Sequence, residues 1–92
     1  MTTTNGEPKI TATIDIRTIP HQERHPRIFK TFDGLQPGQA LLLVVDHDPK
    51  PLYFQFDFAH KGRFSWDYLE EGPQLWRIRI TKAGQAAGPA RG

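Results

Sequence analysis

Ninety-two residues, with six Phe, two Trp and two Tyr among them, supply one compact core and leave no room for a second domain. Twelve Lys and Arg against ten Asp and Glu give a net charge of +2 without a basic tract, so bulk charge gives no reason to expect a nucleic-acid partner. The lack of cysteine excludes disulfides, thiolate metal sites, persulfide carriage and thiol nucleophiles; no apolar run approaches the ~20 residues of a membrane span, and MTTTNGEPK lacks the features of a signal peptide, so a cytoplasmic protein is expected.

Residues 1–9 are polar and 83–92, AGQAAGPARG, are small and punctuated by Gly and Pro, so both are expected to be flexible tails around one domain at 10–82. In ITATIDIR, residues 10–17, the period of two puts Ile10, Ala12, Ile14 and Ile16 on one face of a first strand. The spacing of Ile28, Phe29, Phe32 and Leu35 predicts a helix that begins near Gln22, holds Pro26 in its first turn and ends at a left-handed Gly34. Pro37-Gly38 then turns the chain into ALLLVV, a continuous apolar run that reads as a central second strand.

Asp48-Pro49 has the pattern of a helix cap followed by proline at the first helical position. The segment after it is ambiguous on pattern alone: Leu52, Phe54, Phe56 and Phe58 alternate as in a strand, whereas Leu52, Phe56 and Ala59 share a helical face. Phe64, Trp66 and Tyr68 alternate with Ser65 and Asp67, and beyond Glu71-Gly72-Pro73 the residues Trp76, Ile78 and Ile80 alternate with Arg77 and Arg79, which predicts an antiparallel hairpin with the aromatics in the core. With 49–60 taken as a helix, the fold class is α+β: a two-layer α/β sandwich in which two helices cover one face of a mixed four-stranded sheet and the other face is wet.

A right-handed crossover through the first helix would make the first two strands parallel and bring their C-terminal ends to one edge. His21, Arg24 and His25 follow the first strand and Asp46, His47 and Asp48 follow the second, so these six residues form the candidate ligand rim, beyond strand ends and beside a helix N-terminus.

The run PHQERHPRIFKTFDGLQPGQALLLVVDHDPKPLYFQF, followed by FSWDYLEEGPQLWRIRI, resembles the domain-of-unknown-function family 2249 over roughly residues 14–80, with ERHPRIF, VVDHDPKPLY and SWDYLEEGP as its specific motifs. The family is similar to the TusA/SirA-like sulfur carriers, and that resemblance implies the order βαβαββ and a helix at 49–60. In those carriers a Cys-Pro pair opens the first helix and holds the transferred sulfur. Counting back from LQPG places that position near His21, and without any cysteine the persulfide chemistry is not implied. The family also occurs joined to hemerythrin-like domains, which implies such domains as partners and a redox or metal-related setting, but assigns no activity.

Three chemistries compete for the rim and its surroundings. His21 and His25 lie four residues apart and, with His47 and a carboxylate of Glu23, Asp46 or Asp48, offer nitrogen and oxygen ligands to a transition metal such as zinc, copper or iron; the competing reading makes Asp48 a cap and the histidines ordinary hydrogen-bonded side chains. A small anion held by Arg24 and Arg27 at the helix start is the second, against a merely solvated basic turn. Arg17, Arg77 and Arg79 on polar strand faces give the third, weak RNA binding, although no aromatics alternate with them for base stacking. The lone Ser65 has no nucleophile-elbow context and Glu70-Glu71 are consecutive, so a binding or interaction module with an unknown small-molecule or protein partner is expected in preference to an enzyme.

Overall fold

The computed structural model describes residues 9–83. Along them run β1 (Lys9–Asp15), a 3-10 turn (Ile16–Thr18), α1 (His21–Asp33), β2 (Gln39–Val45), α2 (Lys50–Ala59), β3 (Phe64–Glu71) and β4 (Trp76–Lys82). The order is βαβαββ, as expected. The sheet runs β1-β2-β4-β3, with β1 parallel to β2 and both other pairings antiparallel. The expected tails lie outside the described residues, apart from Lys9, which opens β1, and Ala83, whose N–H donates to the Arg63 carbonyl at 2.9 Å.

One apolar cluster joins Ile28 and Phe32 of α1, Leu52 and Phe56 of α2, Ile14 of β1, Leu41, Leu43 and Val45 of β2, and Ile78 and Ile80 of β4, so both helices cover the same face of the sheet. Phe64, Trp66, Tyr68 and Trp76 pack against its margin. The α2 segment is a helix, and Leu52 and Phe56, one turn apart, are its buried residues. Phe54 and Phe58 therefore point outward, which is why their alternation with Phe56 does not describe a strand.

Several local expectations are overturned. Strand β1 ends at Asp15 because the Asp15 carboxylate accepts the Arg17 backbone N–H at 3.1 Å, which turns the chain into the 3-10 segment while Ile16 stays buried. A bulge between Ile10 and Ala12 pairs Ile10 with Ala40 and Ala12 with Leu41, so Ile10 leaves the core face and is 40% exposed. Helix α1 starts at His21, which places Pro26 in its interior; lacking an N–H, Pro26 deprives the Gln22 carbonyl of its usual donor. Gly34 is right-handed, at φ −81°, and the helix end is instead closed from β4, where the Lys82 ammonium donates to the carbonyls of Asp33 and Leu35 at 3.0 and 2.9 Å.

Asp48 does not cap α2. Pro49 occupies the cap position and Pro51 sits in the first turn, where a missing N–H costs nothing. The Asp48 carboxylate accepts the Tyr68 hydroxyl at 2.8 Å, tying the loop after β2 to β3. Burial, with the Asp48 charge adding to it, raises the Tyr68 phenol above the ordinary tyrosine range. A raised phenol favours the neutral ring in the folded state, so its contribution is complete below the unfolded chain's value and is lost as pH climbs through the folded one. Stability is thus expected to fall on the alkaline side, and Tyr68→Phe to flatten that limb. Urea midpoints measured between about pH 9 and 12 check this; an unchanged slope in the variant would refute it.

Candidate functional site

Because β1 and β2 are parallel, the chain leaves both at the same edge of the sheet. From β1 it passes through the 3-10 turn into α1, and from β2 into residues 46–49. The two histidine-bearing stretches meet there: Ile16, His21, Gln22, Arg24, His25 and His47 line a hollow of about 280 Å³.

Each polar group at this edge has a defined setting. The Arg24 Nε–H donates to the Ile19 carbonyl at 2.9 Å, and this is the only hydrogen bond its guanidinium makes among the described residues. His25 Nδ1–H donates to Gln55 Oε1 at 3.1 Å, pinning the ring to α2. His47 Nδ1–H donates to Asp46 Oδ1 at 2.7 Å; that bond, with help from the Arg24 charge, holds the Asp46 carboxyl below its ordinary range. Asp15 is lowered in the same way by Arg17, whose Nε and Nη2 donate to its two oxygens at 2.8 and 2.6 Å. Asp15 and Arg17 thereby neutralise each other.

Under the hollow lies the first turn of α1. Pro20 holds the cap position and brings no side-chain hydrogen bond, so the leading N–H groups of the helix are not answered by a capping side chain. The Glu23 N–H already donates to the Pro20 carbonyl at 2.9 Å; the N–H groups before it, the positive end of the helix dipole and the Arg24 guanidinium favour negative charge at this end of the helix.

Of the six rim residues, His21, Arg24, His25 and His47 line the hollow, Asp46 borders it through His47, and Asp48 turns away to Tyr68. Arg27 belongs elsewhere on α1, 3.4 Å from Glu23 and at the margin of a groove beside β1. Gln22 and Gln55 escaped the sequence reading. Gln22 lies one residue from His21 in the same helical turn, but the reach of Gln55 to His25 spans 30 positions and leaves no local signal.

Residues 13–82 match the model of the family described as "Uncharacterized conserved protein (DUF2249)". The chain belongs to this family. The match runs from within β1 to the last residue of β4 and takes in every residue of the rim. No curated protein and no solved structure matches the chain.

In this DUF2249 domain the three histidines share a hollow without forming a ligand set: among the described residues, no three His, Asp or Glu side chains converge so that they could hold a metal ion. Nor do the arginines form a basic strip. Arg77 pairs with Glu70 at 2.9 Å and Arg79 with Asp67 at 3.5 Å across the β3–β4 ladder, and Arg17 is taken by Asp15. Cross-strand acids thus offset the positive charge that RNA would need. Among the described residues no helix is long and apolar enough to cross a membrane.

Proposed function

We propose that this DUF2249 domain is a non-enzymatic binding module that takes a small oxyanion, a phosphate or a carboxylate, in the hollow over the first turn of α1. The observation that carries the reading is the convergence of Arg24, His21, His25 and His47 above a helix start without a capping side chain. Arg24 supplies the fixed charge, the helix its leading N–H groups, and His21 and His47 a wall of imidazoles from two different segments. His25, tied to Gln55, is a positioning residue that sets the spacing of α1 and α2 beneath the ligand.

Inorganic phosphate titrated into isotope-labelled protein is the test. Saturable shifts are expected at the amides of residues 21–24 and at the His21 and His47 rings, weakening as salt is added. Arg24→Gln removes charge-assisted hydrogen bonds of about 1.5–3 kcal/mol and should weaken binding tenfold or more. An absence of saturable shifts, or equal affinity in the variant, would dispose of the oxyanion site. Zinc titrated in parallel is expected to form no one-to-one complex, since among the described residues no three ligating side chains are placed to hold a metal ion.

A further inference from the structure

A second surface adjoins the rim through Gln55, which holds His25 on one side and lines a separate hollow on the other. Phe54 and Phe58, one turn apart on α2, are 64% and 92% exposed, whereas most large apolar side chains of the domain are buried. With Phe29, Gln55 and Ala59 they line a shallow hollow of about 470 Å³ between α1 and α2. Its floor is firm, since Phe29 stacks on the buried Phe56 with ring centroids 4.5 Å apart. Lys50 precedes Phe54 by one turn and Lys61 follows Phe58 by three residues. Both lysines are exposed and, among the described residues, neither makes a hydrogen bond or an ion pair. The single carboxylate of α2, Asp57, sits on its half-buried flank.

We propose that this groove docks an amphipathic helix of a partner protein, which seats an apolar side chain between Phe29, Phe54 and Phe58 and brings acidic residues to Lys50 and Lys61. Aromatic anchors in a concave seat with charged margins are the features that helix-in-groove recognition uses. A second copy is the poorer occupant, because antiparallel packing of α2 on its own copy would set the Lys50 end of one against the Lys61 end of the other, lysine facing lysine. A lipid surface would meet Phe54 and Phe58 but leave the seat between them and Phe29 unfilled.

The test uses random peptides of about 16 residues, ~24 Å if helical, displayed on phage and selected on the immobilised chain. Enriched peptides are expected to carry apolar residues at i and i+4 with Asp or Glu on both sides. As synthetic, labelled peptides they should bind the F58A variant at least tenfold more weakly and lose affinity to added salt and to K50E/K61E. F58A removes an exposed ring, so its urea midpoint should stay near that of the parent, and its phosphate titration should be unaltered, which keeps this groove separable from the oxyanion hollow. The proposal is overturned if nothing is enriched, if the enriched peptides are neutral or basic, or if they bind F58A equally well. It is overturned too if Phe58 proves to drive self-association in sedimentation velocity, or co-sedimentation with phosphatidylglycerol vesicles.

Discussion

Phe56→Ala is expected to cost about 3–5 kcal/mol, while Phe58→Ala, two residues along the same helix, should change stability by no more than ~0.5 kcal/mol. Phe56 is fully buried and its ring meets Phe29, Phe32, Phe64 and Trp66 at centroid distances of 4.5, 5.1, 5.4 and 6.0 Å. Its removal opens a void where α1, α2 and the β3–β4 hairpin converge, and those elements are too well braced to collapse into it. A domain of this size carries roughly 4–11 kcal/mol in total, so the loss takes about a quarter or more of it and should lower the urea midpoint strongly. Phe58, almost entirely exposed, loses nothing but solvent contact. Urea denaturation of the two variants side by side is the measurement. Similar losses for both would mean that the segment from Lys50 to Ala59 does not present one Phe inward and the other outward.

The second large effect is expected at the hairpin turn. Gly72 has φ +53°, and a Cβ at that position would lie 2.7 Å from the indole of Trp76. Gly72→Ala therefore combines two penalties: about 1–2 kcal/mol for an L-residue in the left-handed region, and the displacement of a side chain that packs edge-to-face on Tyr68 at 6.1 Å. A total loss of roughly 2–4 kcal/mol is expected, accompanied by a change in tryptophan fluorescence as the indole shifts. Gly38→Ala serves as the control. Gly38 has φ +89° but nothing within 4 Å of its would-be Cβ, so it should show the backbone cost alone. If the two variants are equally destabilised, the Trp76 contact is not responsible.

Both predictions concern residues whose roles the amino-acid pattern could describe only in part. Element order was legible outside residues 49–60, since β2 is a continuous apolar run, β3 and β4 alternate with a period of two, and Ile28 and Phe32 recur at helical spacing. The 49–60 segment was not decidable by periodicity, because four apolar side chains at every second position satisfy a strand while Leu52 and Phe56 satisfy a helix. Family resemblance pointed to the helix. Once the helix is taken, Phe54 and Phe58 fall off the Leu52–Phe56 face, but residue type carries no record of whether another element would cover them.

The rim divides the same way. Residue types at 21–25 and 46–48, together with parallel strands, were enough to foresee that the two stretches would meet, and four of the six residues do line one hollow. The sequence could not say that Asp48 answers Tyr68 twenty positions away, that His25 is held by Gln55, or that Arg77 and Arg79 would each find an acid across the ladder. Alternation, turn chemistry and apolar spacing act between residues a few positions apart, so they fix strands, helices and their order. Partners for polar groups come from segments that only the packed chain makes neighbours, and it is those contacts, set by the register of β2, β3 and β4 and by the docking of α1 on α2, that decide which side chains remain available to a ligand.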